Sequence, residues 1–223
     1  MKAKTKRQLR FILGFTAFFT ALWFLWNTPV VYPLKIFVVL LHEVSHAAAS
    51  LATGGSVLRI ELDPYQGGAC YCPGGNAFLV LSAGYLGSLA WGGAMFAAAR
   101  SRRVRIDRVN TAIALLVVVI TLLYVRTGFG LTFGIVFGVA LLWTAARAGF
   151  GANRAILLAL GLTSSLYAIL DIKSDILDRP HLRSDARMLA EITGVPTVVW
   201  GVAWIGLALG FSAWLLRRAY RDA

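Results

Sequence analysis

The chain is poor in charge. Of its 223 residues only 14% are Asp, Glu, Lys or Arg, and 58% are hydrophobic. An ordinary soluble domain carries about 25% charged residues. That deficit excludes a soluble domain large enough to bury its own core and implies a polytopic membrane protein, read here as one domain over residues 1–223. Acidic residues are scarcest, ten against 22 Lys and Arg, for a net charge of +12. In a soluble protein such an excess would suggest nucleic-acid binding. Here the basic residues gather between apolar spans, at Lys2 to Arg10, Arg100 to Arg108 and Arg217 to Arg221. That placement suits anionic headgroups and membrane insertion, so a lipid bilayer is the expected partner and nucleic acid is not.

Cysteine is nearly absent. Cys70 and Cys72 are separated by one residue, a loop so short that a mutual disulfide is not expected. With no histidine nearby, they read as small residues of a turn or strand rather than metal ligands. A cleavable leader is not evident either. The basic start and the apolar Phe11 to Trp26 imitate one, but Trp23, Trp26, Asn27 and Pro29 form no small-residue cleavage site, so a retained membrane segment is expected.

Long apolar runs are plentiful. A spanning helix needs about 20 apolar residues, and segments 11–29, 33–53, 77–99, 108–125, 128–146, 152–172 and 196–216 qualify. The expected fold is therefore an all-α polytopic membrane protein with six to seven transmembrane helices. If all seven cross, the basic residues divide evenly between the two sides. If 11–29 does not, the count becomes lopsided and puts the N-terminus, the Arg100–Arg108 loop and the C-terminus in the cytoplasm. The expected location is integral, in a bacterial cytoplasmic membrane.

Two insertions interrupt the helices. Within 54–76, Leu58, Ile60 and Leu62 alternate with Arg59, Glu61 and Asp63, a period of two that reads as a strand. Pro64, Gly67 and Gly68 supply a turn, and Ala69 to Cys72 can return as a second strand. Such a β-hairpin offers an edge for an extended peptide; a plain solvent loop is the competing reading. The segment 173–195 reads as an amphipathic loop. Ser184 caps a helix start, Met188, Leu189 and Ile192 share a face, and Gly194 and Pro196 end it, as in a helix lying on the membrane.

Histidine is rare too, yet two of the three stand together. Residues 42–46 read His-Glu-Val-Ser-His, between apolar Pro33 to Leu41 and Ala47 to Thr53. Histidines four apart share a helix face with Cβ atoms about 5–6 Å apart. This spacing suits two ligands on one Zn2+ ion, with Glu43 beside it as general base. Ionisable groups within a membrane span are costly and so point to function. A catalytic zinc usually takes a third protein ligand. His181 is expected to be exposed rather than a ligand. Asp171 and Asp175, four apart at the end of the sixth run, are the candidates: one binds metal while the other orients a histidine. The competing reading makes both interfacial carboxylates, with Asp175 paired to Lys173 or Arg179. Asp171 also lies near the end of its run and the histidines in mid-span, a mismatch of roughly 10 Å at 1.5 Å per residue.

Thr163, Ser164 and Ser165 have no histidine or lysine in their span to activate them and read as packing hydroxyls. The density of small residues from Ser82 to Ala94 reads the same way, as close helix packing that can set metal geometry.

Together these residues resemble the site-2 protease family of intramembrane zinc metalloproteases, in its shorter branch. The resemblance rests on the intramembrane His-Glu-x-x-His, the Gly-rich strand region after it, Ala-Gly-Tyr-Leu-Gly at 83–87, the aspartates of 171–175 and Ser-Asp-Ala at 184–186. It implies that His42 and His46 bind zinc, that Glu43 activates water and that Asp171 is the third ligand. It also implies a substrate that is another protein's transmembrane segment, cleaved as by an endopeptidase. Two positions depart from the family: Leu170-Asp171-Ile172 stands for Leu-Asp-Gly, and Gly84-Tyr85 stands where Gly-Pro and Asn are usual. The second departure motivates an alternative, a catalytically inactive scaffold or regulator that keeps a structural metal. Intramembrane His, Glu and Asp also occur in transporters, but no repeated second half accompanies them here.

Overall fold

The structure is a computed structural model that describes residues 3–178 and 183–221. His181 and Arg179 lie outside the described residues.

The apolar runs become helices α1 (Ala3–Leu25), α2 (Tyr32–Ala52), α3 (Ala77–Arg100), α4 (Ile106–Tyr124), α5 (Gly128–Arg147), α6 (Phe150–Lys173) and α8 (Thr197–Arg221). All seven are long and apolar enough to cross a membrane. Between them come a hairpin of β1 (Arg59–Leu62) and β2 (Gly68–Tyr71) and the short helix α7 (Asp185–Thr193). Local chemistry sets several ends. The side chains of Asn76, Thr127 and Ser184 accept from the amides of Leu79, Gly130 and Arg187, capping α3, α5 and α7. Gly194, at φ +70°, closes α7 in the left-handed region that glycine enters freely.

Among the seven, α2 is the most buried. Ile36, Phe37, Leu40 and Leu41 are almost wholly enclosed, packed with residues of α3, α4, α5, α6 and the hairpin. Lys35, in the same stretch, is buried with its ammonium 4.6 Å from the centre of the Trp26 ring. The small residues of α3 permit close approach. A Cβ at Gly92 would lie 2.8 Å from the Gly161 carbonyl oxygen, and one at Gly161 would lie 2.9 Å from that of Gly92. Ser164 Oγ donates to the Ser88 carbonyl at 2.7 Å, a packing role as expected. Asn110 and Asn153 pin α4 to α6, with Asn110 Nδ2 donating to Asn153 Oδ1 at 2.8 Å.

The hairpin is antiparallel, with Ile60 opposite Cys70. Ile60 and Leu62 are buried, and the outer edge of β1 is covered: the Arg126 amide donates to the Ile60 carbonyl at 3.1 Å, and Thr127 Oγ1 to that of Leu62 at 2.8 Å. The other edge, on β2, is turned toward α2. Cys70 and Cys72 are paired as a disulfide, contrary to expectation. Both occupy the same side of an extended segment, and their Cα atoms are 5.5 Å apart, within bridging range.

The segment after α6 also departs from expectation. The helix widens into a π-helical turn, Ser174–Asp178. Beyond it α7 packs against the bundle. Its Ala186 and Leu189 are buried with Tyr85, Ile172, Ile176 and Trp204, whereas Ile192 is exposed. Enclosing two apolar side chains among four others favours this seat over a surface one.

Three basic stretches meet at one end. Gln8 Nε2 donates to the Tyr220 carbonyl at 3.3 Å, Arg100 Nη2 donates to that of Ala219 at 2.6 Å, and the Arg100 guanidinium lies 4.8 Å from the Phe11 ring centre. The start of α1, the end of α3 and the end of α8 are therefore neighbours.

Candidate metal centre

Helical spacing puts His42 and His46 on one face of α2, ring centres 4.7 Å apart. Each ring has an oxygen behind it, at hydrogen-bond distance for His46 and beyond that distance for His42. His46 Nδ1 is 2.7 Å from the Val80 carbonyl oxygen, so it carries the proton and donates. His42 Nδ1 faces Asp171 Oδ2 at 3.8 Å. These contacts leave both Nε2 atoms directed at a common point, where a third group arrives. Asp185 Oδ2 lies 2.9 Å from His42 Nε2 and 3.1 Å from His46 Nε2. Among the described residues, His42, His46 and Asp185 form a donor group whose ligand atoms all lie within 4.8 Å of one another. Two imidazoles and a carboxylate are a donor set suited to zinc, and a partner on the far nitrogen is the usual support for a metal-binding histidine.

Asp185 reaches this point because Ser184 caps α7 and the Ala186/Leu189 face anchors it against α3, α6 and α8. Burial alone would raise its carboxyl pKa. When protonated, the His46 and His42 rings facing it overcome that and hold it well below the usual carboxylate range.

Asp171 and Asp175 do not converge on the histidines' Nε2 atoms. Asp171 stands behind His42, and Asp175 accepts a hydrogen bond from the Tyr85 hydroxyl. The expected depth mismatch is closed by the end of α6 lying beside the middle of α2. Asp185 was the residue not singled out from sequence. Its signal is the Ser-Asp-Ala element at 184–186, which serves both as a helix start and as part of the family resemblance.

Glu43 is 5% exposed and opens onto the same cavity. Its carboxylate accepts from the Cys70 amide on the edge of β2. Gly68 makes the approach possible: a Cβ there would lie 2.6 Å from Glu43 Oε1 and 2.8 Å from Val39 Cγ1. Gly84 does the same for the histidines, since a Cβ at that position would overlap Nε2 of both. The cavity holds about 830 Å³ between the segment 66–72, which includes β2, on one side and Asp171, Asp175 and Asp185 on the other.

No curated protein and no solved structure matches the chain. A family model described as Peptidase M50B-like matches residues 15–215, from α1 to α8 and across every residue of the centre. That span makes this integral membrane protein a member of the Peptidase M50B-like family, in keeping with the site-2 protease resemblance of its motifs.

Proposed function

We propose that the protein is a zinc-dependent intramembrane endopeptidase, with His42, His46 and Asp185 as the metal ligands and Glu43 as the general base. The observation that carries this reading is the convergence of two histidine Nε2 atoms and one carboxylate oxygen beside Glu43, in a cavity roomy enough for a peptide. Zinc held there would polarise a scissile carbonyl and acidify water. Glu43 would take the proton of the attacking water and return it to the leaving amine. The Cys70 amide orients its carboxylate. Asp171, behind His42 Nδ1, would fix that ring and raise its basicity as a ligand.

The substrate in this reading is a transmembrane segment of another protein, unwound where it is cut, since a helical peptide bond is shielded by its own hydrogen bonds. The unwound stretch would lie along the β2 edge, which faces the cavity while β1 is covered on its other side. Cleavage of a reconstituted transmembrane substrate by the Glu43→Gln variant tests the assignment. The expected result is a loss of roughly 10²–10⁴-fold with bound metal retained. Undiminished cleavage would sink it.

A further inference from the structure

We propose that the gap between α1 and the rest of the bundle is a binding site for an anionic phospholipid. Its phosphate is held by Arg7, Arg10, Arg100, Arg102 and Arg154, and its acyl chain lies along Phe11, Phe15 and Phe19. The site shares no lining residue with the catalytic cavity and does not depend on the proteolytic reading.

Chain segments far apart in sequence build the head of the site. The two arginines of α1, Arg100 at the end of α3, Arg102 just beyond it and one arginine on α6 line a cavity of about 590 Å³ to which, among the described residues, no carboxylate contributes. Membrane orientation alone requires arginines in loops, not their convergence on one cavity. Arg154 Nε is buried and has no hydrogen-bond partner among the described residues, an arrangement that costs free energy until an acceptor arrives. Arginine suits a phosphate in particular, because its planar fork donates two parallel hydrogen bonds.

The tail follows from α1 itself. Phe11 lines the basic cavity, and Phe15 and Phe19, one and two turns on, line an apolar groove with Phe96, Leu162 and Leu216. Phe96 likewise sits one turn before Arg100 on α3, so the groove follows the cavity along both helices. Apart from its contact with the end of α8, α1 is scarcely buried. A charged head joined to an apolar groove matches a lipid and not a soluble anion. Basic pockets between membrane helices on the cytoplasmic side recognise anionic headgroups in this way.

Native mass spectrometry of the full chain tests the proposal, in neutral detergent with equal amounts of phosphatidylglycerol and phosphatidylcholine. The wild type is expected to retain the anionic lipid preferentially. The Arg7→Gln/Arg10→Gln double variant, altered only at exposed positions of α1, is expected to lose roughly tenfold in retention with unchanged helicity by circular dichroism. Arg154→Gln is expected to do the same. Equal retention of the two lipids, or undiminished phosphatidylglycerol on the double variant, would overturn the proposal. So would displacement of phosphatidylglycerol by millimolar inorganic phosphate, which would reassign the cavity to soluble anions.

Discussion

Asp185 Oδ2 lies 2.9 Å from His42 Nε2, although 143 residues separate the two in the chain. The contact turns α7 from a connector into a wall of the centre. Two histidines on α2 supply one side, and the first residue of a nine-residue helix supplies the other. Asp171 stands on the opposite side of the His42 ring, at Nδ1. The same imidazole therefore meets two carboxylates on opposite sides, to which the proposed function gives different roles.

Those roles separate in a metal-binding measurement. Asp185→Ala is expected to lose most bound zinc, measured per mole of purified protein. Asp171→Ala is expected to keep a full equivalent but to bind it roughly 10–100-fold more weakly in chelator competition. The reverse pattern, metal lost with Asp171→Ala and kept with Asp185→Ala, would return the ligand role to Asp171.

Metal removal should loosen α7 before the rest of the bundle. A ligand that binds only the docked arrangement stabilises it by mass action, and Asp185 is the link between α7 and the histidines. Hydrogen exchange on chelated and zinc-loaded protein is expected to show faster exchange of the 185–193 amides after chelation. The α4–α6 contact at Asn110 and Asn153 is expected to be unaffected. Equal protection of α7 in both states would argue against a ligand from that helix.

The helices, the hairpin and the two histidines were legible because each writes a periodic or continuous pattern. Apolar runs of spanning length became α2 to α6 and α8 with ends shifted by a few residues, and Leu58–Ile60–Leu62 alternation marked β1. The third carboxylate was not legible by such a rule. Its position depends on how Ala186 and Leu189 pack among Tyr85, Ile172, Ile176 and Trp204, a tertiary choice that the spacing on α7 alone does not encode. Asp171 and Asp175 looked like a pair because α-helical geometry puts residues four apart on one face. The π-helical turn that begins at Ser174 breaks that geometry between them.

Asn110 offers a stability test independent of the chemistry. It is fully buried and donates to both the carbonyl and the side-chain oxygen of Asn153, at 3.0 and 2.8 Å. Asn110→Ala removes those donors and leaves buried acceptors with less satisfaction, a cost of about 1–2 kcal/mol. A lower thermal midpoint in detergent is expected, with zinc stoichiometry unchanged at temperatures below it. Loss of metal in the folded variant would contradict the separation of this contact from the centre.

Gly84 gives the sharpest steric test. A methyl group there would overlap Nε2 of His42 and of His46, the two atoms that face Asp185. On helix propensity alone, Gly84→Ala should stabilise α3 by up to about 1 kcal/mol. The local crowding acts in the other direction and acts on the metal position itself. Gly206→Ala on α8, where nothing lies within 4 Å of the added carbon, is the matched control. The expected outcome is a folded Gly84→Ala protein with little bound zinc and no cleavage, beside a Gly206→Ala protein that keeps both. Normal zinc content in Gly84→Ala would mean that α2 and α3 can part enough to admit the methyl group. The close approach of α3 would then not be what sets the geometry of the two histidines.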